Sequence, residues 1–210
     1  YELGRTYAHL LDRLGVDVRL NTEVDAVFAE RIAADAVIVA VGSAPIPMPL
    51  PVEEGARVLS VDDLYLGGEQ PGDEVVVLGG GLTGCECAIN QVRLGRRAHI
   101  VEMRDGLAID ANIRHRPILL AEVERAGIDV NLNARGVRVE CGGLVVADRE
   151  GEEYLVPGDT VICAIGQRSR SDAADVLRDA APFVRVIGDA VRPSNITTAV
   201  YEAYHAALDI

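Results

Sequence analysis

The sequence predicts an α/β fold in which a parallel βαβ unit followed by an antiparallel meander is inserted between two pieces of a second unit. Three observations carry this reading. Residues 73–104 run strand, tight glycine turn, helix, strand, the order of a parallel βαβ unit. Apolar runs at Val37–Val41, Val75–Leu78 and Thr160–Ala164 are short and continuous, as in strands buried on both faces. A proline-rich stretch, Ser43–Pro51, and a polar one, 166–180, bracket the middle of the chain as crossings.

Taken in order, Leu3, Tyr7, Leu10 and Leu14 repeat at helical spacing and predict a helix over 3–14, closed by Gly15. Strands are expected at 16–20, 24–29 and 36–41. The four prolines of 43–51 exclude a helix or a central strand. In the 73–104 segment, Leu82, Cys85, Ile89 and Val92 make one apolar helix face, and Gly95 ends that helix before the strand 98–102. A helix over 112–126 is either kinked or started by Pro117 and closed by Gly127. The short apolar alternations of 128–156, broken at Gly142-Gly143 and Gly151, predict the antiparallel meander. Strands at 160–164 and 184–187 and a final helix over 195–208 complete the chain.

Composition narrows the function. A formal net charge of −13 argues against a nucleic-acid partner, which Lys and Arg clusters would have to hold. No apolar run approaches the roughly 20 residues of a membrane helix. No basic-then-apolar leader precedes the first helix, so no signal peptide is expected and the start reads as a cut. The four cysteines, Cys85, Cys87, Cys141 and Cys163, form neither a CxxC pair nor a metal-ligand spacing. Small apolar fillers in a reducing cytoplasm are expected instead. His9, His99, His115 and His205 are scattered without a paired carboxylate, and Arg114-His115-Arg116 reads as a solvated helix face.

The chemistry is concentrated in Val75-Val76-Val77-Leu78-Gly79-Gly80-Gly81-Leu82-Thr83-Gly84, where Gly79, Gly81 and Gly84 satisfy G-x-G-x-x-G between a strand and a helix. Gly79 permits the sharp turn, Gly81 leaves room for a pyrophosphate, and Gly84 lets helix and strand touch. The helix start then offers N–H groups and partial positive charge to phosphates. Glu102 closes the following strand, where a carboxylate can accept hydrogen bonds from ribose hydroxyls. Arg104 can meet a 2′-phosphate or stack on adenine. Together these predict a Rossmann-like NAD-binding domain with NADH preferred over NADPH, because Glu102 would repel a 2′-phosphate.

In Val184-Arg185-Val186-Ile187-Gly188-Asp189-Ala190 a strand delivers an acid at its C-terminal end, and Pro193-Ser194-Asn195 introduces a helix. This resembles the C-terminal FAD motif of the pyridine nucleotide-disulfide oxidoreductase superfamily, whose aspartate holds the flavin ribityl chain. The resemblance implies that Gly188 and Asp189 face FAD. Val39-Ala40-Val41-Gly42 and Ala164-Ile165-Gly166 resemble the two hinges of that superfamily, which brings Ala164 and Gly166 to the cofactor region. Residues 79–88 and 188–193 are similar to the C-terminal half of old-yellow-enzyme-like reductases of the 2,4-dienoyl-CoA reductase type.

The resemblance implies an NAD(P)-binding domain over 45–166 inserted in a partial FAD-binding domain, 1–44 and 167–210. It implies an NADH:flavin oxidoreductase that passes hydride from NADH to FAD, and electrons on to an upstream barrel with FMN and an iron–sulfur cluster. No catalytic side chain and no metal ligand is expected in these residues. Three features of the family pattern are absent: the first FAD-binding glycine fingerprint, a redox CxxC or CxxxxC, and the barrel with its cysteine cluster. The chain is therefore expected to be inactive alone and to lack tightly bound FAD, and exposure of its flavin-facing apolar surface would favour self-association. The alternative is a structural ADP- or NAD-binding module without hydride transfer, as resemblance to trimethylamine dehydrogenase would allow. A stand-alone thiol reductase is disfavoured by the cysteine spacing.

Overall fold

In the computed structural model, which describes residues 2–210, the chain forms two compact units. One unit comprises the chain up to Val41 together with Ser171–Ile210, and the other comprises Gly42–Arg170.

In the first unit, helix α1 spans Glu2–Arg13. Gly15 follows it at φ +68°, and the Gly15 and Val16 N–H groups donate to the carbonyls of Asp12 and Leu11, closing the helix with a left-handed cap. No residue of α1 is buried. Hydrophobic period predicts the helix but says nothing of what covers its apolar face.

Two expectations fail next. Residues 16–20 form no strand, because alternation alone does not supply a partner ladder, and Val16, Val18 and Leu20 all lie exposed. Residues 24–29 were expected as a strand, but helix α2 spans Ala26–Ile32. The reason is local: the Asp25 carboxylate accepts the Phe28 N–H at 2.7 Å and caps a helix start. Strand β1, Ala36–Val39, follows as expected.

The second unit begins with β2, Ser43–Pro45, a three-residue strand that tolerates prolines because its only partner is another short strand. Strand β3, Val58–Ser60, and helix α3, Val61–Tyr65, had no counterpart in the sequence reading. Ser60 and Asp63 form a capping box that starts α3. The βαβ unit is β4, Glu74–Leu78, α4, Leu82–Arg93, and β5, Arg97–Glu102. Helix α5 spans Arg116–Arg125 with Pro117 in its first turn, so the proline starts the helix and does not kink it.

Strand β6, Asp129–Leu132, pairs in parallel with β5. Residues 129–132 therefore leave the expected meander and join the main sheet. The meander itself is β7, Arg135–Glu140, β8, Gly143–Ala147, and β9, Glu153–Pro157. Strand β10, Thr160–Cys163, returns between β3 and β4. Strand β11, Gln167–Ser169, pairs antiparallel with β2.

The main sheet has the order β3-β10-β4-β5-β6 and is parallel throughout. Period-two alternation divides its core. Val75 and Val77 of β4 join Cys85, Ile89, Leu119 and Val123 on the helix side. Val76 and Leu78 join Leu144, Val146 and Val156 on the meander side. Both faces of β4 are thus dry, which is why its sequence reads as a continuous apolar run. Leu82, expected on the inner face of α4, is 38% exposed, because it starts the helix beyond the end of β4.

The first unit resumes with α6, Ser171–Asp175, β12, Phe183–Val186, a 3-10 turn over Gly188–Ala190, and α7, Ile196–Leu208. Strands β1 and β12 pair in parallel, and Val39, Ala29, Ala174 and Leu177 form the small core of this unit.

Candidate functional site

The glycine turn sits where β4 gives way to α4, at the C-terminal edge of the parallel sheet. Ligands of open α/β sheets bind at that edge. Gly79 has φ +108°, which L side chains rarely adopt, and a Cβ there would lie 2.5 Å from the Ala164 carbonyl oxygen. A Cβ at Gly84 would overlap the Gly79 carbonyl oxygen and stand 3.5 Å from Ala164 Cβ. At Gly80 it would meet Leu107 Cδ2 at 2.5 Å and Glu102 Cβ at 2.9 Å. Gly81 differs, since nothing lies within 4 Å of its missing Cβ. Three glycines are therefore held by protein packing, and the fourth faces open space.

Gly81 is also the N-cap of α4 and provides no side-chain hydrogen bond to the first turn. The N–H groups of Leu82 and Thr83, orphaned by helix geometry, thus keep their donors at the open side. This arrangement fits a pyrophosphate: a cleared approach, an uncapped helix start and its partial positive charge.

Glu102 ends β5 beside the turn and is only 6% exposed. Its Oε2 accepts the Gly80 N–H at 2.8 Å and its Oε1 accepts the Arg104 N–H at 2.9 Å. The carboxylate therefore braces the turn as well as facing the strand tip, a role that spacing alone did not reveal. Each ionised oxygen has capacity for more than one donor, so acceptor sites remain. Arg104 Nε lies 3.5 Å from Glu102 Oε1, and Arg104 Nη1 donates to Asp110 Oδ2 at 2.7 Å. The Asp110 hydrogen bond, above all, raises the Arg104 pKa from its ordinary value.

The segment between them was missed by sequence reasoning. Residues 104–111 fold back so that the Ala108 N–H donates to Gly80 O at 2.8 Å. Arg116 Nε secures the same loop at Leu107 O, 2.9 Å away, and Ala108 takes φ +47°. A one-dimensional signal for this contact was faint: an acid six residues after Arg104 in a glycine-containing loop.

Ala164 follows β10 and donates its N–H to Leu78 O, which locks it against the glycine turn. Gly166, at φ +116°, accepts the Ile46 N–H on its carbonyl. In the other unit, Gly188 has φ +63° and donates to Glu202 Oε2 at 2.6 Å. Asp189 Oδ1 accepts the Ser194 N–H at 3.1 Å, and Asn195 caps α7 through Thr198. Gly188 and Asp189 thus form a braced turn between a strand and a helix.

Cys85, Cys87 and Cys163 are buried and Cys141 is exposed, and all four are free. Burial, aided by the negative charge of Glu102, pushes the Cys85 thiol up to about 11. That environment suits a packing residue and opposes a reactive thiolate. His99, expected to lack a paired carboxylate, is buried and hydrogen-bonds Glu74 at 3.1 Å, because the pairing of β4 with β5 brings the two together. Among the described residues no cluster of His, Cys, Asp or Glu could hold a metal, and no helix is long and apolar enough to cross a membrane.

Comparison with known proteins decides the family. The family described as pyridine nucleotide-disulphide oxidoreductase matches residues 2–203. The chain belongs to that family. It is 32% identical over 211 residues to a cinnamate reductase of Clostridium sporogenes, covering 99% of this chain and 31% of that protein. It is 31% identical over 205 residues to an NADH oxidase of Thermoanaerobacter brockii, covering 95% of this chain and 32% of that one. The chain thus spans about a third of the length of these curated relatives. Among solved structures, a 2-naphthoyl-CoA reductase superposes with a TM-score of 0.90 at 23% identity, over 98% of this chain and 31% of that one. Histamine dehydrogenase from Rhizobium sp. 4-9 superposes at 0.79 with 20% identity, over 93% of this chain and 34% of that one. These two likenesses establish the fold. The family read from residues 184–190 stands on the family match, and the reductase likeness read from residues 79–88 and 188–193 stands on these relatives.

Proposed function

We propose that this chain is the dinucleotide-handling region of a cytoplasmic NADH:flavin oxidoreductase, with 45–166 binding NADH and 1–44 with 167–210 contributing to an FAD-binding domain. The observation that carries the reading is the turn 79–84: three glycines are fixed by packing, while Gly81 alone clears the space before an uncapped helix start. In this reading the N–H groups of Leu82 and Thr83 hold the pyrophosphate. Glu102, fixed by two backbone donors, accepts a hydrogen bond from the adenosine ribose. Gly188 and Asp189 approach the flavin side chain, as their place between β12 and α7 allows. Bound FAD supplies the hydride acceptor. In a complete enzyme, an upstream reductase barrel with FMN and an iron–sulfur cluster would be the onward electron acceptor. The chain supplies position, with no catalytic side chain of its own.

Titration of NADH into the chain tests the site. Saturable binding that is lost on Gly81→Ala supports it, and absence of saturable binding sinks it. Parallel titration with ADP separates a site for the whole dinucleotide from a structural ADP site. A hydride-delivering site distinguishes the whole dinucleotide, so NADH binds more tightly than ADP; equal affinities favour the structural alternative.

A further inference from the structure

Around Glu102 the structure sets three charged groups in a row: Glu102, Arg104 and Asp110. The guanidinium stands between two carboxylates, 2.7 Å from Asp110 and 3.5 Å from Glu102. Asp110 does not reach this place by accident of an open surface. The loop that carries it is pinned to the glycine turn by the Ala108 N–H to Gly80 O bond and by Arg116 to Leu107 O. Glu102 is fixed from the other side by Gly80 and by the Arg104 backbone. Among the described residues Arg104 is the one cation paired with the Glu102 carboxylate, and its charge is already shared with Asp110.

We propose that Asp110 is the positioning residue that sets cofactor preference, holding the Arg104 guanidinium so that the site takes a pyridine dinucleotide without a 2′-phosphate. The inference rests on reading 79–104 as a pyridine-dinucleotide site. With Asp110 ionised, the three groups leave one net negative charge. A ribose 2′-hydroxyl then finds an acceptor at Glu102, while a 2′-phosphate meets like charge. Neutralising Asp110 removes that excess and frees the guanidinium, whose planar donor fork matches a phosphate.

The experiment titrates NADH and NADPH separately into the wild-type chain and into Asp110→Asn, Asp110→Glu, Arg104→Ala and the Asp110→Asn/Arg104→Ala double variant. Asp110 is a largely exposed side chain, so its variants are expected to melt with the wild type. Asp110→Asn should raise the NADPH-to-NADH affinity ratio about fivefold, equivalent to ~1 kcal/mol and the size of an exposed ion pair. Asp110→Glu should retain the wild-type ratio, and without Arg104 the Asp110→Asn change should move it less than about twofold, because only the screened charge of an exposed carboxylate is then removed. A ratio within about twofold of wild type in Asp110→Asn, with NADH binding intact, overturns the role of Asp110 alone. Failure of the wild-type chain to bind either dinucleotide overturns the site reading as well.

Discussion

Two glycines three residues apart should respond to the same added methyl in opposite ways. At Gly84 an added Cβ would overlap the Gly79 carbonyl oxygen and lie 3.0 Å from its carbon, with Ala164 Cβ behind it. These are mostly backbone neighbours, so relief requires α4 to move away from the turn. Overpacking of this kind costs ~1–3 kcal/mol or somewhat more, offset by up to ~1 kcal/mol because alanine is the better helix former. A net loss of about 2 kcal/mol corresponds to a melting midpoint lower by roughly 4–8 °C in a chain of this size. At Gly81 the backbone sits at φ −68° and ψ −175°, open to any residue, and nothing stands within 4 Å of the new methyl. Gly81→Ala should therefore melt within about 2 °C of the wild type, since the small N-cap loss and the entropy gain nearly cancel. Its methyl nevertheless occupies the approach of the pyrophosphate, and NADH affinity should fall at least about tenfold, ~1.4 kcal/mol. Differential scanning fluorimetry and calorimetric titration measure the two halves. A Gly81→Ala chain that melts normally and binds NADH within about twofold of the wild type would refute the reasoning.

Three further outcomes follow from single environments. Glu102→Gln replaces a carboxylate that accepts two backbone donors with an amide that has one acceptor oxygen, leaving one nearly buried N–H against an NH2 group. The expected cost is ~1–3 kcal/mol of stability, together with a narrower NADH-over-NADPH gap; an unchanged melting midpoint contradicts the brace. Alkylation of the native chain at pH 8 should mark Cys141 first, with Cys85, Cys87 and Cys163 reacting only on unfolding, as peptide mass mapping would show. Early modification of Cys85 would contradict its burial. In the α3 capping box, the Ser60 backbone N–H and then its hydroxyl hold Asp63 below the usual carboxylate pKa of about 3.9. A lowered folded-state value means that the stabilisation is complete above the unfolded value and lost as pH falls through the folded one. Asp63→Asn should accordingly melt below the wild type at pH 7, with the gap closing as pH drops under about 4; a pH-independent gap argues against the box.

Strand β4, helix α4 and the positions of Gly79 and Gly84 were legible in the sequence because each depends on neighbours a few residues away. A continuous apolar run, a turn that only glycine fits and a helical apolar repeat are local statements. The same holds for the cap at Gly15 and for the β12–turn–α7 succession around Asp189. What the sequence could not supply was partnership between distant segments. Val16–Leu20 alternates like a strand, but no ladder forms there, and 24–29 became helical because Asp25 reaches one backbone N–H. Residues 129–132 read as part of a meander, yet the edge of β5 was open and they paired with it. Strand β3 is three residues long and carries no pattern of its own; its place is set by β10. The same division runs through the site. Spacing placed Glu102 at a strand tip, but only the folded chain turns both its oxygens onto Gly80 and Arg104 and brings Asp110 back across the loop to the guanidinium. Local sequence determined which groups were available, and tertiary packing decided which of them meet, because a hydrogen bond or ion pair is fixed by distance in space and not by separation along the chain.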